Sequence, residues 1–175
     1  MIVKKINIYA LKKQNYLSPI RCDNFSEAAT VCLDHCQHLQ NVLLTVEGDL
    51  KAQFELAWEQ ASQSAIDSRS NLVETVEDGA SCLAILVIEE LTGYQVIRQT
   101  PKGTGVDFLL GTKEGDQYYS CARLEISGIL KGSPAQIQQR IKQKVEQSTQ
   151  SDHFDIPVFI VVVEFSQPQI SILKR

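Results

Sequence analysis

The sequence predicts an α/β protein, on three observations. The first is a strong helical pattern from about Leu72 to Leu91, in which apolar residues recur every three or four positions. The second is a run of three strand-like segments after it, at 94–100, 105–111 and 117–127. The third is the segment 158–165, which is too uniformly apolar to have a solvent-facing side. Together they indicate a sheet with helices on both faces.

The first third of the chain carries weaker patterns of the same kind. Alternation over residues 1–10 predicts a short edge strand, and VLLTV at 42–46 predicts another strand. Between them, a helix is expected to begin at Asn24 or Ser26, after a turn at Ser18-Pro19.

A second helix is predicted in this part of the chain over residues 50–65, from the spacing of Leu50, Phe54 and Trp58. The very polar stretch 62–71 then reads as a loop or hinge. We therefore divide the chain into an N-terminal α/β extension of unknown role at 1–70 and a core at 71–175.

Residues typical of helix ends mark the limits of the two helices in the predicted core. Thr92-Gly93 ends the long helix, because glycine readily takes the left-handed conformation that closes a helix. Ser133 and Pro134 are a typical cap and first residue for an amphipathic helix that runs to about Ser148. After the strand at 158–165, ISIL predicts a last short strand.

Composition favours a cytoplasmic protein with no membrane segment. The 175 residues are 43% hydrophobic and 22% charged, which is ordinary for a globular domain. No apolar run approaches the roughly 20 residues that cross a bilayer, and no signal-peptide pattern is present. The five cysteines are odd in number and unevenly spaced, which indicates reduced thiols rather than a disulfide framework.

The net charge of −4 is distributed unevenly. Residues 1–21 carry +5, residues 22–90 carry −11 and residues 91–175 carry +2. Because an acidic surface repels phosphate, contact with DNA is expected in the C-terminal half or at the basic N-terminus. The acidic region 22–90 is either a docking surface for a basic protein partner or a solvated surface without a partner. The oligomeric state is left open, a homodimer included.

Two isolated carboxylates stand out in the predicted core. Asp107 lies in GVDFLLG, and Glu125 lies in ARLEIS on a face that it shares with Arg123 and Ser127. A carboxylate in a buried strand needs a cation, a metal ion or several hydrogen-bond donors. One interpretation is therefore a structural Asp–Arg–Glu cluster bridged by Arg123. The other is a divalent-cation site of the kind that phosphodiesterases use.

The stretch LTGYQVIRQTPKGTGVDFLL resembles the Mrr-like restriction endonucleases of the PD-(D/E)xK superfamily. The resemblance implies a restriction-endonuclease-like core of helix, three-stranded meander, helix and strand, and a divalent-metal-dependent nuclease acting on DNA. It also implies that Asp107 and Glu125 bind Mg²⁺ or Mn²⁺, that the carbonyl of Ile126 completes the inner shell, and that Glu77 supports it from the first helix.

The sequence departs from the family at the lysine expected two residues after Glu125, where Ser127 stands. That lysine activates the attacking water and stabilises charge in the transition state, which serine cannot do. Three interpretations follow. A lysine elsewhere replaces it, with Lys102 or Lys131 as candidates, or the metal ion suffices alone. In the third, catalysis is lost and the fold serves as a protein–protein interaction subunit.

Three other motifs have both a functional and a structural interpretation. CLDHCQH at 32–38 is either part of a zinc site or an ordinary amphipathic helix. KGTG at 102–105 precedes a strand rather than a helix, so we interpret it as a tight turn whose glycines allow close backbone approach. The helix at 134–148 presents Arg140, Lys142 and Lys144, either to phosphate groups or simply to solvent.

Overall fold

The computed structural model of the chain describes residues 3–13 and 16–175. Within these residues the protein is mixed α/β, as predicted. The eight strands are β1 (Lys4–Asn7), β2 (Leu43–Gly48), β3 (Ala52–Ala57), β4 (Gln95–Gln99), β5 (Phe108–Glu114), β6 (Gln117–Ile129), β7 (Val158–Glu164) and β8 (Gln169–Lys174). The α-helices are α1 (Pro19–His35), α2 (Gln63–Ser68), α3 (Leu72–Thr92) and α4 (Pro134–Ser148). Two 3-10 helices cover Ile8–Lys13 and Thr149–Phe154.

All eight strands belong to one sheet, in the order β1-β3-β2-β8-β7-β6-β5-β4. Strands β4, β5 and β6 form an antiparallel meander, and β6 then pairs in parallel with β7. Every residue of β7 is buried. This confirms that the apolar segment at 158–165 is a central strand.

Helices cover both faces of the sheet, and β7 shows the division. Phe159, Val161 and Val163 belong to the main core, which α1 and α3 close. The alternate residues Val158, Ile160 and Val162 belong to smaller clusters on the other face, beneath α4. Because consecutive side chains of a strand point to opposite faces, α4 lies across the sheet from α1 and α3.

The prediction of a helix over residues 50–65 is wrong. Residues Ala52–Ala57 form β3, and the short helix α2 lies further on, in the stretch predicted to be a loop. Phe54 and Leu56 are both buried, so the segment follows a period of two. The same residues also match helical spacing, and the pairing of β3 with both β1 and β2 decides the outcome.

The first helix begins earlier than expected. Ser18, predicted as part of a turn, is the N-cap of α1, and its hydroxyl accepts a hydrogen bond from the backbone N–H of Arg21. Pro19 is the first helical residue, where the missing N–H costs nothing. The strand predicted over residues 1–10 is found at Lys4–Asn7, and residues 1–2 lie outside the described part of the chain.

The N-terminal region shares the sheet and the main core with the rest of the chain. Strand β2 pairs in parallel with β8, and α1 packs along α3. Arg69 ties the two helices together, since its guanidinium donates to the side chains of Asn24 and Glu27 on α1 and of Asp78 on α3. None of the helices formed by residues 3–13 and 16–175 is long and apolar enough to cross a membrane.

Candidate functional site

Three polar side chains of β6 face α4, as the strand alternation predicts. Arg123, Glu125 and Ser127 are all buried, while Leu124 and Ile126 between them join the main core on the other face. Each of the three polar residues has its own partner on α4 or on the 3-10 helix that follows it. This buried polar row is the centre of the candidate site.

Asp107 lies just before β5 rather than inside it. Strand β5 begins at Phe108, which pairs with Leu124. Ile126 lies two residues further along β6, so it has no pairing partner in β5. Oδ2 of Asp107 accepts that N–H at 2.8 Å. Burial raises the pKa of Asp107, while the Ile126 N–H and the charge of Lys144 lower it. The carboxylate is thus fixed where the two strands separate.

Glu125 has no exposed surface. Its Oε1 accepts hydrogen bonds from Nζ of Lys144 at 2.6 Å and from Nε2 of Gln147 at 2.9 Å. Its Oε2 is buried and accepts no hydrogen bond from the described residues. Burial raises the pKa of Glu125 to about 8, the negative charge of Asp107 adds to this, and Lys144 opposes it. The two carboxylates therefore interact directly.

The lysine of this site was not foreseen. Lys144 comes from α4 and reaches Glu125 across the sheet face, whereas Lys102 is exposed in the turn between β4 and β5. Lys131 is also exposed, and its charge acts on Cys36 rather than on the carboxylates. No contact between Lys102 and Asp107 or Glu125 is found in residues 3–13 and 16–175. The structure brings together Asp107, Glu125 and Ile126, and leaves Lys102 outside.

A signal for Lys144 was present in the sequence of α4. The helix buries Ile137, Ile141 and Ser148, and Lys144 occupies the inward position between Ile141 and Ser148 in a four–three–four spacing. A lysine at a core-facing position needs a hydrogen-bond acceptor, which the carboxyl group of Glu125 supplies. Among the basic residues predicted for this helix, Lys142 is instead exposed to solvent.

Arg140 contacts both Ser127 and Glu77, near the carboxylate pair. Oγ of Ser127 accepts a hydrogen bond from Nη1 of Arg140 at 2.6 Å, and the same nitrogen lies 3.9 Å from Oε1 of Glu77. Burial raises the pKa of Glu77, Lys144 lowers it, and the charge of Asp107 raises it further. Glu77 thus belongs to the same electrostatic cluster as the predicted metal ligands.

The interpretation of these residues as a structural Asp–Arg–Glu cluster is wrong. Arg123 points along the sheet to the 3-10 helix after α4, where it donates to the carbonyl of Ile156, to Ser151 and to Asp152. It bridges neither Asp107 nor Glu125. Lys144 takes the partner that this interpretation assigned to Arg123.

A divalent cation fits part of this site. Two neighbouring carboxylates with raised pKa values, one with an orphaned buried oxygen, are a donor set that a cation would satisfy. However, the described residues contain no group of three or more His, Cys, Asp or Glu side chains placed to hold a metal ion. Asp107 and Glu125 alone would therefore leave most coordination positions of a divalent cation to water.

The turn KGTG fixes the position of Asp107. Gly103 and Gly105 have φ angles of +87° and +81°, which other residues adopt only with strain. A Cβ atom on Gly105 would lie 2.3 Å from the carbonyl oxygen of Gln147. The predicted close backbone approach is thereby confirmed, and it occurs at the end of α4 that also contacts Glu125.

The two cysteines and His38 of CLDHCQH have structural partners. Sγ of Cys32 faces the carbonyl of Thr75, and Sγ of Cys36 faces that of Leu130. Nε2 of His38 is bonded to the carbonyl oxygen of Phe165 at 2.7 Å. Burial raises the pKa of Cys32 to about 12, which disfavours the thiolate that zinc requires. The segment is the end of an ordinary packed helix and the turn after it.

Fold and site together define a mixed α/β protein in which the half-buried Asp107 and the fully buried Glu125 form a carboxylate pair, with a lysine in contact with Glu125. Comparison with protein-family models found no match, and neither did comparisons with curated proteins or with solved structures.

Proposed function

We propose that this chain is a divalent-metal-dependent nuclease-like protein of the PD-(D/E)xK type, acting on DNA phosphodiesters, in which Lys144 replaces the missing motif lysine. The observation that carries the proposal is the 2.6 Å contact between the Lys144 ammonium and Glu125, beside Asp107. A carboxylate pair with an adjacent cation is the functional-group set that phosphodiester cleavage needs.

The element order from α3 onward supports the same assignment. Helix α3, the meander β4-β5-β6, helix α4 and strand β7 follow one another in the order that the family resemblance implies. The two acids also lie where β5 and β6 separate, so their side chains meet although they are far apart in sequence.

Each residue has a role in this proposal. Asp107, Glu125 and the carbonyl of Ile126 would hold Mg²⁺ or Mn²⁺, which lowers the pKa of a bound water and offsets phosphate charge. Lys144 orients Glu125 and supplies positive charge against the charge that develops on the phosphate during attack. Gln147 holds the same carboxylate oxygen from the next turn of α4.

A second candidate function is a catalytically inactive nuclease fold that serves as an interaction subunit. The complete burial of Glu125 favours it, because a ligand must reach an oxygen without exposed surface. The binding surface would then be the acidic region 22–90, where Glu47, Asp49, Glu59 and Asp67 are exposed to a basic protein partner.

Calorimetric titration with Mn²⁺ separates these functions when it is combined with a plasmid-nicking assay. The wild type is expected to bind the ion, and Asp107→Asn to lose this binding while it keeps an acceptor for the Ile126 N–H. The exposed Asp67→Asn serves as the charge-matched control. Nicking by the wild type but not by Asp107→Asn supports the nuclease. Negligible wild-type heat overturns it, and binding without nicking favours the interaction subunit.

A further inference from the structure

A groove opens between α3, the end of β6 and α4. It has a volume of about 340 Å³, and Val73, Glu77, Ile129 and Arg140 lie along it. Gly128 forms its floor, where a Cβ atom would lie 2.5 Å from the carbonyl oxygen of Val76. The close approach of α3 to β6 at Gly128 therefore shapes the groove.

Arg140 is fixed at one nitrogen and free at the others. The hydrogen bonds found in the described part of the chain use only its Nη1, which donates to the buried hydroxyl of Ser127. Its side chain retains 37% exposure. The planar guanidinium can donate two parallel N–H···O bonds, so an anchored arginine with unused donors in a groove is suited to an anion with several oxygens, such as a phosphate.

The charge of Arg140 is poorly compensated within the protein. Ser127 contributes no charge, and Glu77 lies at 3.9 Å with 48% of its side chain exposed, so this pair is weak. Lys144 differs, because its partner Glu125 is fully buried and hydrogen-bonded to it. Of the two inward-facing cations of α4, Arg140 is thus the one available to an external anion.

We propose that Arg140 binds a phosphate of the DNA strand in this groove, next to the phosphate at the carboxylate pair, and that Ser127 positions it. The inference rests on the proposed function for the identity of the anion. It also gives Ser127 a role: the residue that stands where a lysine was expected anchors an arginine instead.

The test measures binding of a fluorescein-labelled DNA duplex by anisotropy in EDTA, without any divalent ion. Arg140→Ala is expected to weaken binding about tenfold, within the range of a well-placed contact to a charged group. Lys142→Ala removes the same charge from the solvent side of α4 and is expected to cost less than about twofold. Thermal unfolding of each variant checks that the fold is retained.

A double-mutant cycle tests the role of Ser127. Ser127→Ala alone is expected to weaken binding about threefold, and to have no further effect when Arg140 is already alanine. Equal losses for Arg140→Ala and Lys142→Ala, no loss in Arg140→Ala, additive effects of the two substitutions, or no wild-type binding would each overturn the proposal. Competition by an acidic peptide as strong as by unlabelled DNA would also overturn it.

Different results would exclude the proposed metal-dependent function and the proposed role of Arg140. If Asp107→Asn and the wild type give the same Mn²⁺ heats while Arg140→Ala still loses DNA binding, only the metal-dependent chemistry is excluded. If Mn²⁺ binding is lost in Asp107→Asn but DNA affinity is unchanged in Arg140→Ala, only the role of Arg140 is excluded.

Discussion

The ammonium of Lys144 and the carboxylate of Glu125 are in direct contact across one face of the sheet, at 2.6 Å. The lysine comes from α4 and the glutamate from β6, nineteen residues earlier. Glu125 is wholly buried, and Lys144 is partly buried, with 19% of its side chain exposed. A positive charge is therefore present at the carboxylate pair although β6 itself carries serine in the expected lysine position.

Replacing Lys144 with methionine should separate the effect of the lysine's charge on DNA nicking from the effect of its packing. Lys144→Met keeps much of the aliphatic stem, so we expect Mn²⁺ binding to persist while nicking of plasmid DNA falls about 10²–10³-fold. Because Lys144 lowers the pKa of Glu125, that pKa should rise in the variant. Carbon-detected NMR titration of the glutamate carboxyls measures this shift. Lys142→Met is the matched control, and an equal loss of nicking in both variants would contradict a special role for Lys144.

The stability of the protein should fall as pH rises from about 5 to 8. The pKa of Glu125 is about 8 in the folded protein, against an ordinary value of 4.5. Between these values the folded state holds a proton that the unfolded chain has released, so raising the pH favours unfolding. Urea denaturation of the wild type and Glu125→Gln at pH 5.5, 7 and 8.5 measures the effect.

The amide of Glu125→Gln cannot titrate, so the variant should show a flatter pH profile and gain stability relative to the wild type at the highest pH. Glu59→Gln is the control, because that side chain is exposed. Parallel profiles for the wild type and Glu125→Gln would show that Glu125 titrates normally.

Two glycines should respond differently to the same added methyl group. A Cβ on Gly128 would lie 2.5 Å from the backbone oxygen of Val76, so Gly128→Ala must push α3 away from β6. We expect a loss of about 1–3 kcal/mol in the free energy of unfolding. Gly79→Ala meets the backbone of Ala29 at 3.1 Å and gains helix propensity, which offsets part of the strain.

Chemical denaturation of the two variants gives the comparison directly. Gly128→Ala should be the less stable one, and a larger loss in Gly79→Ala would mean that the α1–α3 contact is the tighter constraint.

Placing a lysine at position 127, where the PD-(D/E)xK pattern has one, should not raise the rate of DNA nicking. Ser127 has no exposed surface and already accepts a hydrogen bond from Arg140, so Ser127→Lys would bring a second cation against that guanidinium. We expect a less stable protein with nicking no faster than the wild type. Faster nicking by Ser127→Lys would show that Lys144 does not replace the motif lysine.

The sequence predicted the elements whose signal is local. Helix α3 has an uninterrupted helical pattern that ends at Gly93, and β7 is apolar up to its last residue, Glu164, so both were found near their observed limits. The segment around Phe54 and Leu56 fits both a helix and a strand. Its strand conformation depends on β1, some fifty residues before it, which a local pattern does not contain.

The same distinction between local patterns and contacts of distant segments applies to the candidate site. Asp107 and Glu125 were recognisable because each is a single acid in an apolar segment. Lys144 was not assigned to them, because its contact depends on how α4 is laid across the sheet. The interpretation in which Arg123 bridges the two acids was wrong, since alternation gives the face on which a side chain lies but not which neighbour on that face it contacts.

The position of β8 has a consequence for synthesis of the protein. This strand is made after every other strand, yet it lies in the middle of the sheet, between β2 and β7. Until residues 169–174 leave the ribosome, β1–β3 and β4–β7 remain two partial sheets, each with an unpaired inner edge that invites pairing with another chain. The order of the strands in the chain thus delays completion of the sheet, and the inner edges at β2 and β7 stay open to pairing with other chains until β8 has been made.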